Sequence, residues 1–110
     1  MTIKTIIPLF GEAVAPRFDL ATEVCIIAQD ESGEILEEKA LVLPHASAEQ
    51  LCHLIITEGI QVVICGGIED EYYQFLTWKR VEVFDGVTGP WRRAEKRFRQ
   101  GLLRSGDIVL

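Results

Sequence analysis

One stretch decides the fold: Gln61-Val62-Val63-Ile64-Cys65-Gly66-Gly67-Ile68. Its apolar run is short and β-branched, and it is typical of a strand buried on both faces of a sheet. The glycine pair predicts a tight turn after that strand, with a helix to follow. We expect a ligand of this chain to bind at the turn.

The rest of the chain predicts four more strands and three helices. Apolar β-branched runs indicate the strands, and apolar residues at helical spacing indicate the helices. The helix with the clearest boundaries begins with the capping-box pattern Ser47-Ala48-Glu49-Gln50 and ends near Gly59. In chain order, the predicted elements are strands over 4–10, 23–28 and 34–43, a helix over 48–58, a strand over 62–65, a helix over 69–78, a strand over 81–84 and a helix from residue 90.

Some segments lack a clear pattern. Pro8 cannot donate to a sheet ladder, which predicts that the first strand is bulged or leaves the sheet near its end. Residues 11–20 show no period and are predicted to form a loop. Residues 108–110 could pair as a strand, pack in an interface or fray. The last helix is predicted to carry an apolar stripe of Trp91, Ala94, Phe98 and Leu102.

The connections between the elements predict the order of the strands. The first three strands are predicted to form an antiparallel meander, and right-handed crossovers place the fourth and fifth strands parallel to the first. The predicted fold class is α/β, with a mixed five-stranded sheet in the order 3-2-1-4-5 and helices on its faces. Connections leave the first and fourth strands in opposite directions, so the crevice between them is the switch point at which open α/β sheets bind ligands.

Length and composition predict one ordinary globular domain over residues 1–110, with 48% hydrophobic and 25% charged residues. No run of about eighteen apolar residues is present, so we expect no membrane span. The N-terminal residues lead into a strand pattern rather than a signal peptide, which predicts a cytoplasmic location. The three cysteines are odd in number and widely spaced, so we expect reduced thiols, with Cys25 and Cys52 in the core.

The net charge of −6 is unevenly distributed along the chain. Residues 1–78 carry thirteen acidic and three basic side chains, whereas residues 79–110 carry four acidic and eight basic ones. The acidic total disfavours non-specific binding of nucleic acid. The basic segment is interpreted either as a solvated helix face or as a docking surface, whose partner would be an acidic protein, a nucleic acid or a second copy of the chain. Its cations are Arg92, Arg93, Lys96, Arg97, Arg99 and Arg104.

Several short motifs together resemble one family. They are Ile6-Ile7-Pro8, Gly11, Val14, Pro16-Arg17-Phe18-Asp19, Ala21, the predicted hairpin, Ile64-Cys65-Gly66-Gly67-Ile68 and Gly86. Over roughly residues 3–100, the chain resembles the dinitrogenase iron-molybdenum cofactor biosynthesis family of nitrogenase accessory factor-like proteins. The resemblance implies a three-layer, ribonuclease-H-like fold and, for some members, binding of the iron-molybdenum cofactor or its iron-sulfur precursors. Arg17 stands where many members have a histidine, so one candidate metal ligand is missing.

The predicted crevice brings together a candidate binding site of six residues: Gly11, Arg17, His45, Cys65, Gly66 and Gly67. The Cys65 thiolate and the His45 imidazole are candidate metal ligands, and the Arg17 guanidinium offers a planar fork to an anion. The glycines would let a ligand approach the backbone. The simpler interpretations are a buried core thiol for Cys65, a solvent-exposed loop arginine for Arg17 and an ordinary tight turn for the glycine pair.

The predicted function is that of a small, non-catalytic binding or carrier protein for an anionic ligand. The residues identify no cofactor; the resemblance implies an iron-sulfur or iron-molybdenum cluster, bound transiently, since one thiol and one histidine are too few to enclose a cluster. The alternative is a regulatory module that docks a protein partner and binds no metallocluster. A nuclease of ribonuclease-H-like topology would need a carboxylate on the first strand, and residues 4–10 contain none.

Overall fold

Six strands form one mixed sheet in the computed structural model, which describes residues 2–110. The strands are β1 (Ile3–Phe10), β2 (Ala13–Val14), β3 (Glu23–Gln29), β4 (Ile35–Val42), β5 (Val62–Ile64) and β6 (Glu82–Phe84). The α-helices are α1 (Ala48–Thr57), α2 (Asp70–Trp78) and α3 (Trp91–Arg99), and a 3₁₀-helix spans Phe18–Leu20. The order across the sheet is β4-β3-β1-β5-β6, with β2 paired to β1. Apart from the short β2, this confirms the predicted order and the α/β class.

The central strands β1, β3 and β5 are buried on both faces, as their apolar runs predict, whereas the edge strand β4 is largely exposed. Ile6 and Val63 belong to a core cluster beneath α1 and α2, which we call the α1/α2 core. Their neighbours Ile7 and Val62 belong to a cluster beneath α3, which we call the α3 core. Successive residues of a strand point to opposite faces, so one short apolar run supplies both clusters. The molecule therefore has three layers, with the sheet in the middle.

The helix boundaries follow from local chemistry. The Ser47 hydroxyl accepts the Gln50 backbone N–H at 3.2 Å, as the capping-box pattern predicts. Gly59, with φ of 68°, follows the end of α1 in the left-handed conformation that favours glycine. The predicted apolar stripe of α3 is wrong at its last position. Because α3 ends at Arg99, Leu102 is exposed, and its neighbour Leu103 packs in the α3 core instead.

The segment predicted to be a loop contains regular structure. Residues 11–20 include β2 and the 3₁₀-helix, both too short to show a period in the sequence. Pro8 stays in register opposite Val24, and its carbonyl accepts the Ala15 N–H at 2.8 Å. Proline needs no donor at this position of the strand, so β1 continues to Phe10. Ile108 pairs with Thr88 in an isolated parallel bridge.

No helix within residues 2–110 has the length and apolar character needed to cross a bilayer.

Candidate ligand site

The crevice between β1 and β5 is closed by the backbone of residues 15–18. The Gly67 N–H donates to the Pro16 carbonyl at 2.7 Å, and the Phe18 N–H donates to the Gly67 carbonyl at 2.8 Å. A side chain on Gly66 has no room, because an added Cβ would lie 2.6 Å from the Pro16 carbonyl oxygen. Gly66 therefore serves the close approach of two backbone segments.

Phe18 anchors the segment that closes the crevice. Its side chain is buried in the α1/α2 core, and its ring centroid lies 6.5 Å from that of Tyr72 on α2. An aromatic side chain buried in this way contributes a large apolar area to the core. The contact holds residues 15–18 over the end of β5.

Cys65 lies beneath the backbone of residues 15–18 that closes the crevice. It has no exposed surface and belongs to the α1/α2 core. Burial, with a smaller contribution from the charge of Asp85, raises the pKa of Cys65 to about 12. The thiol is therefore protonated at neutral pH, and a surface ligand could reach it only if the core opened. The other predicted metal ligand, His45, is exposed in the connection between β4 and α1. Within residues 2–110, no group of three or more His, Cys, Asp or Glu side chains is arranged to hold a metal ion.

Open space lies on the other side of β1, where a surface cavity of about 470 Å³ adjoins the start of β3. We call it the β1–β3 cavity. It is lined by Leu9, Phe10, Gly11, Ala15, Pro16, Arg17, Leu20, Ala21, Thr22 and Glu23. Phe10 is 74% exposed and Leu20 is 60% exposed, which is unusual for large apolar side chains brought together at one cavity. Of the six predicted site residues, the structure places Gly11 and Arg17 in this lining.

Arg17 brings a cation to the β1–β3 cavity. Its Nε donates to Asp19 Oδ1 at 3.0 Å, and its Nη2 donates to Asp19 Oδ2 at 2.6 Å. The hydrogen bonds to Asp19 and the charge of its carboxylate raise the pKa of Arg17 above its ordinary value, so the guanidinium is always charged. Within the part of the chain that the structure describes, the Nη1 amino group has no hydrogen-bond partner and can donate to a ligand. Glu23 adds a negative charge to the lining.

Two important lining residues, Phe10 and Leu20, were not predicted as site residues. Phe10 immediately precedes the segment 11–20, and Leu20 is the last residue of that segment. Because the segment shows no period, the sequence assigns neither side chain to an apolar face. The available signal was their position, since each borders a loop at the carboxyl edge of the sheet. A large apolar residue at this edge belongs either to the core or to a binding surface. Only the exposure of Phe10 and Leu20 in the structure distinguishes these two possibilities.

The three buried thiols are expected to make the folded protein less stable at alkaline pH. Burial raises the pKa of Cys25 and Cys52 from 9.0 to about 11, and it raises the pKa of Cys65 further, to about 12. Above pH 9 the unfolded chain loses thiol protons that the folded chain keeps, so rising pH favours unfolding. We expect the free energy of unfolding to fall by up to about 1.4 kcal/mol per pH unit for each thiol. Urea unfolding between pH 8 and 11 measures this slope; Cys52→Ala should make it shallower, and an unchanged slope would count against the assignment.

Fold and cavity together define a class: a three-layer α/β protein with a surface cavity beside the central strand. The family model for the dinitrogenase iron-molybdenum cofactor matches residues 1–101. The chain belongs to that family. Among curated proteins, no sequence matches this chain significantly.

Solved structures share the fold at low sequence identity. A "putative dinitrogenase" from Methanocaldococcus jannaschii is 19% identical with a TM-score of 0.76, over 94% of this chain and 93% of the other. A "putative NifB protein" from Thermotoga is 19% identical with a TM-score of 0.68, over 98% and 97%. The apo form of the orange protein from Desulfovibrio gigas is 18% identical with a TM-score of 0.70, over 97% and 95%. These similarities confirm the fold.

Proposed function

We propose that the chain is a small, non-catalytic binding or carrier protein whose anionic ligand occupies the β1–β3 cavity. The observation that carries the proposal is the exposure of Phe10 and Leu20 beside a charged guanidinium in a cavity of about 470 Å³. Ligand sites commonly combine an apolar surface with a few placed polar groups. The Arg17 N–H groups that Asp19 does not use supply the polar contact.

Membership of the family suggests the cargo, an iron-sulfur or iron-molybdenum cluster or a precursor of one. All three thiols are buried, so thiolate ligation does not fit this chain in its folded state. A sulfide-rich anion would instead accept hydrogen bonds from Arg17 and contact the apolar lining. Such binding is weak and reversible, which suits a carrier that passes its cargo on. Three free cysteines also suit a reducing compartment, so we propose that the protein works in the cytoplasm.

Removal of the Arg17 charge is expected to weaken binding of a sulfide-rich anion about tenfold or more, because a hydrogen bond to a charged group contributes about 1.5–3 kcal/mol. The probe is tetrathiomolybdate, a coloured dianion of molybdenum and sulfide. Its dissociation constant is measured anaerobically by absorption with wild type and with Arg17→Gln. Asp19→Asn is expected to tighten binding, because it removes the carboxylate that competes for Arg17.

Two controls separate this site from the alternatives. Arg104→Gln makes the same charge change at an exposed residue outside the cavity lining and is expected to bind as wild type does. Cys65→Ala is expected to lower stability but to leave the dissociation constant of the folded protein unchanged. Binding that is lost in Cys65→Ala and kept in Arg17→Gln would show that the ligand is held elsewhere, and the absence of saturable binding to wild type would overturn the proposal for this class of anion.

A further inference from the structure

A second and larger cavity, of about 980 Å³, runs along α3, on the face of the sheet opposite α1 and α2. We call it the α3 groove. Side chains of α3 form one wall, the start and middle of β4 contribute Ile35 and Glu38, and the segment from Asp107 to Leu110 forms the other wall. The five basic side chains of α3 are all exposed and line the groove: Arg92, Arg93, Lys96, Arg97 and Arg99.

Three of these cations are held in place by partners. Arg92 pairs with Glu38 at 3.3 Å and lies 4.3 Å above the Trp91 ring. Arg99 pairs at 2.7 Å with Glu95, which is buried. The Nη1 of Arg93 donates to the backbone oxygen of Leu110 at 2.6 Å. These contacts orient the guanidinium groups along the wall of the groove.

The other two cations, Lys96 and Arg97, form no ion pair within residues 2–110. They are neighbours on the exposed side of α3. The groove lining holds five basic side chains against three acidic ones, Glu38, Glu95 and Asp107. A net positive groove thus lies on a protein whose total charge is −6. Charge of this kind attracts a negatively charged partner and repels a basic one.

The apolar part of the lining favours a peptide over a nucleic acid as the occupant of the α3 groove. Ile108 is 72% exposed and Ile35 is partly exposed, so the groove offers aliphatic contacts beside its cations. Among residues 2–110, the groove lining includes no exposed aromatic ring on which a base could stack, since Trp91 is buried. Arginine clusters commonly recognise acidic peptide motifs.

We propose that the α3 groove binds an acidic, partly apolar segment of a partner protein. Its carboxylates pair with Lys96, Arg97 and the fixed arginines, and its apolar side chains contact Ile35 and Ile108. A nine-residue helix is about 14 Å long. That length accommodates about four residues of an extended peptide at about 3.3 Å per residue.

The test uses a fluorescein-labelled octapeptide of six glutamates and two leucines, and fluorescence anisotropy measures its binding to the folded protein. Two reference probes are the same octapeptide with lysine in place of glutamate and a labelled single-stranded DNA octamer. The glutamate peptide is expected to bind best, and its affinity should fall at 0.5 M salt because exposed charge pairs are screened. A preference for the lysine peptide or for the DNA would overturn the proposal.

Two charge reversals locate the site. The double variant Lys96→Glu with Arg97→Glu is expected to weaken glutamate-peptide binding at least tenfold, because two attractive charge contacts become repulsive ones. The control is Lys79→Glu with Arg80→Glu, which changes the net charge equally at exposed residues outside the groove. It is expected to bind within about twofold of wild type. Equal losses in the two double variants would show that only total charge matters and would overturn the groove assignment.

The proposal does not depend on the β1–β3 cavity. Arg17→Gln is expected to leave glutamate-peptide binding unchanged, and the Lys96 and Arg97 double variant is expected to leave tetrathiomolybdate binding unchanged. Peptide binding that is lost in Arg17→Gln would place the peptide in the β1–β3 cavity and contradict the inference. All of these substitutions fall on exposed residues, so folded protein is expected in each case.

Discussion

Gly66→Ala is expected to lower the free energy of unfolding by about 3 kcal/mol, because a new methyl group must displace packed backbone. The atoms in its way are the carbonyl oxygens of Ala15 and Pro16 and the carbonyl carbon of Pro16, the last at 2.8 Å. A flexible side chain could rotate aside, but these backbone atoms are held by the hydrogen bonds between Gly67 and residues 16 and 18. Urea unfolding followed by circular dichroism measures the loss.

The neighbouring glycine provides the matched control for this prediction. In Gly67→Ala the added Cβ would lie 3.4 Å from the Pro16 carbonyl oxygen, a distance that a small shift can accommodate. We expect this variant to lose less than about 1 kcal/mol, since Gly67 is not in the left-handed region that favours glycine. Similar stabilities for the two alanine variants would contradict the conclusion that close backbone packing at Gly66 closes the crevice.

Phe18→Ala is expected to cost about 3–5 kcal/mol, the usual range for removal of a buried aromatic side chain. Phe18 is among the largest fully buried side chains of the protein, and it attaches residues 15–18 to the α1/α2 core. A typical domain has a stability of about 5–15 kcal/mol, so this variant could lose most of it. Thermal unfolding measures the change as a lower midpoint temperature.

Phe10→Ala is the control for the size of the side chain. It removes the same ring from an exposed position on β1, and we expect a change in stability of less than about 0.5 kcal/mol. The same variant is expected to weaken ligand binding, because Phe10 lines the β1–β3 cavity. Phe18→Ala and Phe10→Ala thus separate folding from binding, and a large loss of stability in Phe10→Ala would argue against its exposure.

The elements of the fold could be predicted because their signals are local. Val62 to Ile64 show the short apolar run of a strand buried on two faces, and Ser47 shows the start of a capped helix. The sequence likewise predicts a tight turn at the two glycines that follow β5. The order of the strands followed from connection handedness, which depends on general geometry rather than on particular side chains.

The candidate site could be predicted only in part, because its shape depends on contacts between distant segments. Residues 15–18 cross the end of β5 through hydrogen bonds to Gly67, about fifty positions along the chain, and no periodicity encodes such a contact. The same crossing buries Cys65 and closes the predicted crevice. The open cavity therefore lies on the other side of β1, next to β3. Gly11 and Arg17 line that space; whether His45, Cys65 or the glycine pair contacts a ligand stays a prediction.

The most direct test of the proposed site is a map of ligand-induced shifts in the backbone amide NMR spectrum of ¹⁵N-labelled protein. Tetrathiomolybdate is added anaerobically to wild type and to Arg17→Gln. We predict the largest shifts at Gly11, Leu20 and Thr22, which line the β1–β3 cavity, and their loss in the variant. Shifts centred on Cys65 and His45 that persist in Arg17→Gln would contradict the placement of the ligand in the β1–β3 cavity.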